Sequence, residues 1–337
     1  MVAQDRMVAE WRVSDMGGGG PAAVAGACKP IVMRDLCRHW PVVEAAQRSA
    51  DDALVHVARL AGEERAEMFT APADVRGRYH YGDGLAGFNF SRTNVTVRDA
   101  LSQIAANGSG GRQSAYLGSL PAETYFPNFA QENICPWPST GGGARLWIGN
   151  ASTIACHYDM YDNLACVAAG RRRFTLYPPD AIGDLYVGPI DRTLAGQPIS
   201  LAEGAGDDGR FPRFRAAADR ALTAELAPGD ALYLPKLWWH PVEALHPVNI
   251  LVNYWWDGFS AGPDAPHTAM LLAMIAIAER PEAERAAWRS YFDHYVFRPD
   301  GHPLAHLPPE QHGVLGPLAL GNYGRIRALV MRLLRGG

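Results

Sequence analysis

The chain has 337 residues, of which 48% are hydrophobic and 20% charged, and its formal net charge is -4. A chain of this length and apolar content can bury a full core, which excludes the disordered and fibrous classes. The acidic balance offers no positive field to a polyanion, so the composition disfavours nucleic acid as a partner.

The cysteines and the apolar runs bear on the cellular compartment. The five cysteines are scattered and never spaced as CxxC, which disfavours a disulfide framework or a zinc knuckle. Residues 1–15 carry several charges and no apolar run of the signal-peptide kind. The longest apolar stretch, residues 269–278, is about half of the roughly 20 residues that a membrane span needs. We therefore expect a cytoplasmic protein without membrane contact.

The segment before the predicted β region combines a flexible stretch with a small amount of regular structure. Residues 1–29 are predicted to be flexible, with Gly17–Gly20 as a hinge. The following "KPIVMRDLCRHWP" predicts a short buried strand. Ser49 or Asp51 is predicted to cap a helix through Ala61. The pattern Thr96-x-x-Asp99 is a capping box for a second helix that ends at Asn107-Gly108.

Residues 115–256 have the pattern of an all-β region, because short runs of Val, Tyr, Trp, Leu and Thr alternate with Gly and Pro turns. We predict a hairpin at Gly170, and within the polar stretch 178–228 a helix over 211–222. The clearest strands are Arg145–Ile148, Thr153–Asp159, Leu164–Ala169, Arg171–Tyr177, Ala231–Leu234, His240–Leu245 and Asn249–Trp256.

Helical periodicity returns after Gly258, over residues 264–279, 281–296 and 322–335. These helices follow the β region and do not alternate with it, so they form either a lid on it or a subunit interface. We predict three parts: the flexible segment 1–29, a catalytic domain 30–260 with its β core at about 115–256, and a helical region 261–337.

The sharpest chemical signal is His157-Tyr158-Asp159 on a predicted strand. Residues i and i+2 face the same side of a sheet, so this strand presents an imidazole and a carboxylate together. A second segment, "APGDALYLPKLWWHPVEAL", places His240 at the start of another strand. Two His and one carboxylate on a rigid scaffold form the facial triad typical of non-haem Fe(II) oxygenases.

The combination "HYDxxDN...AGRRRFTLYPPD...PGDxLYLPxxWWHxVExL...NxLVNYWW" resembles the cupin-like Jumonji C family of Fe(II)- and 2-oxoglutarate-dependent oxygenases. The resemblance is greatest to the branch of the asparaginyl hydroxylase factor-inhibiting HIF, and it covers about residues 30–256. It implies a mainly β fold with flanking helices: a double-stranded β-helix core, followed by C-terminal helices that form a homodimer interface.

The resemblance also implies the roles of single residues. The Fe(II) ligands fall on His157, Asp159 and His240. The family's lysine for the far carboxylate of 2-oxoglutarate is replaced by Arg172, which can form a bidentate pair with a carboxylate. The family's tyrosine that shares this carboxylate falls on Tyr116, and its two pocket asparagines fall on Asn163 and Asn253. Trp147 and Trp255 are predicted to wall the pocket because they lie near the ligand strands, and Thr153 is a further candidate contact of the cosubstrate.

The threonine position is a departure from the family pattern. The family commonly has a threonine three residues before the first ligand, and here that position is Ile154, with Thr153 beside it. Neighbours on a strand point to opposite faces unless a bulge intervenes. By the same alternation, Cys156 is predicted to face away from the metal.

The predicted activity is Fe(II)- and 2-oxoglutarate-dependent hydroxylation, with molecular oxygen as the other substrate and a peptide or protein side chain favoured as the target. Demethylation is the same hydroxylation directed at an N-methyl carbon. Three alternatives stay open: a non-catalytic cupin that binds a metal or small ligand, an interaction module that works through the C-terminal helices, and a hydroxylase of a small metabolite or RNA base.

Overall fold

The computed structural model divides the chain into two compact units, Met1–Gly258 and Phe259–Gly337. None of the helices described is both long and apolar enough to cross a membrane. The structure describes residues 6–12, 24, 26–82, 87–108, 113–135, 137, 142–191, 196–205, 209–257, 264–318 and 321–336.

The first unit contains fourteen described strands and six short or medium helices. The strands are β1 (Ala9–Arg12), β2 (Ile31–Arg34), β3 (Arg65–Pro72), β4 (Arg78–Tyr79), β5 (Ser91–Thr96), β6 (Gln113–Pro121), β7 (Arg145–Gly149), β8 (Ser152–His157), β9 (Asp162–Ala169), β10 (Arg172–Leu176), β11 (Leu222–Leu226), β12 (Ala231–Leu234), β13 (His240–Ala244) and β14 (Asn249–Trp256). The helices are α1 (Pro41–Arg48), α2 (Ala50–Leu60), α3 (Val97–Gly108), α4 (Ala122–Tyr125), α5 (Phe129–Glu132) and α6 (Phe214–Ala218).

The strands form two sheets. One has nine strands in the order β1-β2-β12-β9-β14-β7-β6-β3-β5, and the other has five in the order β11-β10-β13-β8-β4. Apolar residues from both sheets, such as Val167, Phe174 and Leu232, pack into one cluster. A larger cluster joins helices α1–α3 to the other face of the nine-stranded sheet through side chains such as Trp40 and Ile148. The predicted class, mainly β with a double-stranded β-helix core and flanking helices, is confirmed.

Both helix caps predicted from the sequence are present. The side chain of Ser49 accepts a hydrogen bond from the Asp52 amide at 2.9 Å. The Asp99 amide donates to Thr96 Oγ1 at 3.1 Å, and the Thr96 hydroxyl donates to Asp99 Oδ2 at 2.7 Å. These bonds satisfy amides that a helix leaves without an intrahelical partner.

Part of the segment predicted to be flexible is regular structure. Strand β1 pairs in parallel with β2, and Val8 beside it is buried. The side chain of Arg34 ties β1 to the sheet, because it donates to Glu10 and, at 2.6 Å, to Asp230 Oδ2. The sequence prediction overlooked this long-range ion pair. The proposed hinge Gly17–Gly20 lies outside the described residues.

The hairpin predicted at Gly170 is wrong. Strand β9 before it pairs with β12 and β14, whereas β10 after it pairs with β11 and β13. Gly170 therefore carries the chain from one sheet to the other, with a φ of 75°. The helix predicted over 211–222 is also shorter than expected, because Leu222–Leu226 pairs with β10 as a strand and leaves only Phe214–Ala218 helical.

The second unit is helical, with α7 (Pro266–Ile277), α8 (Glu282–Phe292), a π-helical turn (Asp293–Phe297) and α9 (Asn322–Leu334). Its helices expose large apolar side chains, of which Ile275 is 84% exposed. Others in the same unit are Met270, Leu271, Met274, Trp288, Tyr291, Val296, Phe297, Leu329, Leu333 and Leu334.

Gly170→Ala is expected to lower the free energy of unfolding by about 2–3 kcal/mol more than Gly209→Ala. The two glycines have nearly the same positive φ, 75° and 76°. A Cβ at Gly170 would lie 2.3 Å from Asn249 Oδ1 and 2.7 Å from the Val248 carbonyl oxygen, whereas a Cβ at Gly209 would meet nothing within 4 Å. Urea unfolding of the two variants measures the difference. Equal losses in the free energy of unfolding would contradict the view that Gly170 is required because a Cβ there would clash with Asn249 and Val248.

Candidate active site

A cavity of about 440 Å³ lies between the two sheets of the first unit. The nine-stranded sheet contributes Tyr116, Trp147 and Asn253 to its wall, and the five-stranded sheet contributes Arg172 and His240. Most of the wall is apolar or aromatic, with a few polar groups that converge, which is the usual composition of a small-molecule site.

The two candidate histidine ligands are cross-strand partners. His240 on β13 lies directly opposite His157 on β8, and their ring centroids are 4.4 Å apart. The Nδ1 atom of His157 lies 2.8 Å from the Ala155 carbonyl oxygen, and that of His240 lies 2.9 Å from the Trp238 carbonyl oxygen. A neutral imidazole that donates from Nδ1 keeps its Nε2 lone pair for a ligand.

Burial fixes the charge state of His240. Its desolvation, together with the neighbouring His157, lowers the pKa of His240 to about 4. The imidazole is therefore neutral at pH 7, which is the form that binds a metal ion.

Asp159 lies two residues after the end of β8, close to His240. Strand β8 ends at His157, so the sequence argument that placed Asp159 on the strand two residues later is wrong in this detail. The Asp159 carbonyl oxygen accepts the Leu237 amide at 2.9 Å, which ties its backbone to the segment before His240. Asn163 Nδ2 donates to Asp159 Oδ2 at 3.4 Å.

His157, Asp159 and His240 have the donor atoms that a divalent metal ion binds. Their side chains, however, are widely spaced for ligands of one ion. Asp159 Oδ2 lies 3.9 Å from His240 Nε2. Two ligand bonds of about 2.1 Å, the length seen at zinc, span at most about 4 Å. No group of three His, Cys, Asp or Glu side chains among the described residues is arranged so that it could hold a metal ion. Side-chain movement is therefore needed before His157, Asp159 and His240 could bind one ion together.

A β-bulge decides which residue of β8 faces the cavity. Val242 of β13 lies opposite Ile154 and His240 opposite His157, so Ala155 and Cys156 together oppose the single residue Pro241. A proline cannot donate to the ladder, and it is typical of such irregularities.

Ile154 therefore shares the cavity wall with His157, whereas Thr153 is not part of that wall. The Thr153 amide donates to the Gly77 carbonyl oxygen at 2.9 Å on the side of β4. The structure does not bring Thr153 to the cosubstrate position. Cys156 packs with Tyr158 and Trp239 in a separate cluster, away from the cavity.

Arg172 brings an unneutralised positive charge into the cavity wall. The residue is 2% exposed, its Nε has no hydrogen-bond partner, and no carboxylate within the described residues forms an ion pair with it. Burial lowers the pKa of the guanidinium, but an arginine remains protonated in proteins. By contrast, Arg173 on the opposite face pairs with Glu225 at 2.6 Å, and Arg171 lies 3.6 Å from the same carboxylate.

Other polar atoms of the cavity also lack partners in the described structure. Buried acceptors are Asn163 Oδ1 and Asn253 Oδ1, and buried donors are the indole nitrogens of Trp147 and Trp255. Tyr116 lies beside Arg172, and burial raises the pKa of its hydroxyl, so it is a neutral donor at pH 7. Buried polar groups in proteins are nearly always hydrogen-bonded, so these atoms are available to hydrogen-bond a polar ligand or ordered water.

The sequence analysis missed part of the aromatic wall. Phe69, Tyr79 and Phe90 extend it beyond Tyr116. The ring centroid of Tyr116 lies 6.2 Å from that of Phe69 and 5.7 Å from that of Tyr79, and both ring pairs are tilted. They belong to strands and turns that precede the predicted β core. The aromatic content of residues 79–94 was the available signal, but only the long-range pairing of β3 with β6 shows where these rings lie.

The fold defines a cupin-type double-stranded β-helix, and a few polar side chains converge in its mostly apolar cavity. Residues 22–262 match the family model described as "Cupin-like domain". Together with relatives named for the Jumonji C domain, this match shows that the chain belongs to the cupin-like Jumonji C family.

Three curated relatives illustrate the range of similarity. HSPB1-associated protein 1 of Homo sapiens is 35% identical over 43% of this chain and 30% of its own. Lysine-specific demethylase JMJ30 of Arabidopsis thaliana is 26% identical over 68% of this chain and 50% of its own. Jumonji C domain-containing protein 5 of Drosophila melanogaster is 26% identical over 68% of this chain and 55% of its own. The chain thus spans 30% to 55% of the lengths of these relatives.

Arg172→Met is expected to raise the free energy of unfolding of the ligand-free protein by about 1–4 kcal/mol, because it removes an unpaired buried charge and keeps an apolar side chain of similar length. Urea unfolding measures the change. The control is Arg173→Met, which removes the half-exposed partner of Glu225 and is expected to change stability by less than about 1 kcal/mol. A clear loss of stability in Arg172→Met would show that the guanidinium has a counter-charge after all.

Proposed function

We propose that the protein is an Fe(II)- and 2-oxoglutarate-dependent oxygenase that hydroxylates a peptide or protein side chain. The observation that carries the proposal is the buried, unneutralised Arg172 in the same cavity as His157, Asp159 and His240. A cation without a counter-charge in a dry wall requires an anionic ligand. A dicarboxylate that also chelates a metal ion meets that requirement.

One group of cavity residues would bind Fe(II), and another would bind 2-oxoglutarate. His157, Asp159 and His240 offer two imidazole nitrogens and one carboxylate for Fe(II), which leaves three positions for other ligands. Arg172 would pair with the far carboxylate of 2-oxoglutarate, and the Tyr116 hydroxyl would donate to the same group. Bound Fe(II) and 2-oxoglutarate supply the oxidising chemistry with molecular oxygen, with succinate and carbon dioxide as products of the cosubstrate.

The chain's own contribution is to orient the cosubstrate and to exclude water. Asn163 Nδ2 donates a hydrogen bond to the Asp159 carboxylate. The Oδ1 atom of Asn163 has no partner among the described residues. The apolar side chains of Phe174, Val242 and Leu251 line the space next to these polar groups. A dry, preorganised site strengthens every electrostatic contact inside it.

The aromatic side of the cavity supports an organic substrate with apolar surface. Phe69, Tyr79, Phe90 and Trp147 line this side of the cavity. Two relatives are named lysine-specific demethylases, and removal of an N-methyl group begins with hydroxylation of the methyl carbon. A peptide or protein substrate fits both outcomes of that oxidation.

His157→Ala and Arg172→Met are each expected to lower 2-oxoglutarate-dependent succinate formation at least about 100-fold, because they remove a metal ligand and the counter-charge of the cosubstrate. The control His246→Ala changes an exposed histidine six residues after His240 and should leave the rate unchanged. Succinate and bound 2-oxoglutarate are measured with the purified chain, Fe(II), ascorbate and oxygen. A wild-type chain that neither binds 2-oxoglutarate nor forms succinate contradicts the proposal.

We also propose that the protein forms a homodimer through the second unit, with a cytoplasmic location as the matching environment for its free thiols. The apolar side chains exposed on α7, α8 and α9 support this proposal, since a monomer rarely leaves so many of them in water. Obligate dimer interfaces resemble a hydrophobic core cut in half.

Ile275→Glu is expected to convert a dimer of two 36.6 kDa chains to the monomer in light scattering during size-exclusion chromatography, because it places a charge in the apolar interface. The matched control is Val55→Glu, which changes an exposed apolar residue of α2 in the first unit and should leave the dimer intact. A monomeric wild-type chain at micromolar concentration would contradict the proposal.

A further inference from the structure

Strand β6 has an irregularity where it lines the cavity. Leu117 lies opposite Ile148 of β7 and Leu120 opposite Leu146, so Gly118 and Ser119 together oppose one residue. Both residues of this bulge line the cavity. Bulges next to active sites commonly redirect a side chain.

Ser119 is held in a strained conformation there. Its φ is 55°, in the left-handed region that non-glycine residues rarely adopt. Such strain costs roughly 1–3 kcal/mol and persists where the surroundings impose it, often at functional sites.

Arg145 supplies the contacts that hold this conformation. Its Nε donates to Ser119 Oγ at 2.7 Å, and its Nη2 donates to the Ser119 carbonyl oxygen at 2.9 Å. The same guanidinium lies over the ring of Trp255, 5.5 Å from its centroid, and so joins the bulge to the aromatic wall.

The arrangement leaves the Ser119 hydroxyl as a donor. Its oxygen already accepts a charge-assisted bond from Arg145, and within the described residues its proton has no acceptor. A hydroxyl that accepts a bond from a cation becomes a better donor, because hydrogen bonds in a chain polarise one another.

We propose that Ser119, positioned by Arg145, donates a hydrogen bond to a carbonyl oxygen of the peptide substrate and so sets how the substrate enters the cavity. The inference rests on the proposed hydroxylase function, and it assigns the bulge to substrate recognition. Arg145 does not line the cavity and acts only through Ser119 and Trp255. It is therefore a positioning residue.

The test begins with an array of synthetic peptides, incubated with the full chain, Fe(II) and 2-oxoglutarate and scored for a gain of one oxygen by mass spectrometry. For a peptide that is hydroxylated, Ser119→Ala is expected to raise KM about five-fold, while kcat and the affinity for 2-oxoglutarate stay within about two-fold of wild type. Arg145→Met should reproduce that rise in KM. Ser102→Ala, on α3 outside the cavity, is the matched control and should change neither constant.

Replacing single carbonyl oxygens of the peptide identifies the acceptor. Thioamides, which accept hydrogen bonds weakly, are placed at each main-chain position in turn, and Asn, Gln, Asp or Glu side chains are replaced by apolar ones. One such change should raise KM for the wild type and have no further effect in Ser119→Ala. If Ser119→Ala does not fold, Ser119→Gly removes the hydroxyl and relieves the strain, because glycine adopts positive φ freely.

The outcomes separate the two proposals. A wild-type chain that forms succinate but hydroxylates no peptide overturns the recognition role and leaves the oxygenase function intact. A hydroxylated peptide whose KM is unchanged in Ser119→Ala, or whose carbonyl replacements never couple to Ser119, also overturns it. A chain without succinate formation contradicts the function itself.

Discussion

The burial of a guanidinium without a counter-charge is the constraint on which the candidate site depends. Arg172 occupies an inward position of β10, where the neighbouring inward residues Phe174 and Leu176 are buried and apolar. An uncompensated ion in such surroundings costs several kcal/mol, and the rest of the core must offset that cost. The two extensive apolar clusters on either side of the nine-stranded sheet provide that stability. The described residues therefore include a buried positive charge with which none of their carboxylates forms an ion pair.

Two irregularities in the sheets shape the space around that charge. The bulge in β8, opposite Pro241, turns His157 and Ile154 to the same side of the strand. The bulge in β6 opens the wall at Gly118 and Ser119. In a regular ladder, side chains alternate strictly between the two faces of a sheet. Ile154 and His157 would then face opposite sides, and so would Gly118 and Ser119. The site thus depends on local departures from the ladder as much as on the ladder itself.

The sequence predicted most strands of the β core, because those elements have local patterns. It placed His157 and His240 on separate strands, and the structure makes them direct partners. It failed where non-local pairing decides the outcome. Nothing near Gly170 shows that β9 and β10 belong to different sheets. The position of Thr153 follows from the bulge opposite Pro241, a signal that was present in the His-Pro dipeptide but has meaning only once β13 is paired with β8.

Arg92 lines the aromatic side of the cavity and limits which side chains can contact those rings. The guanidinium of Arg92 lies 5.3 Å from the ring centroid of Phe69, 5.2 Å from that of Phe88 and 5.7 Å from that of Phe90. These faces are the surfaces that would attract a cationic side chain, and a cation of the protein already occupies them. The charge of Arg92 is partly offset, because its Nη1 lies 3.5 Å from Glu67 Oε2. On the proposed function, a lysine or arginine of a substrate would have to displace Arg92 in order to pack on these rings, whereas an uncharged side chain would not.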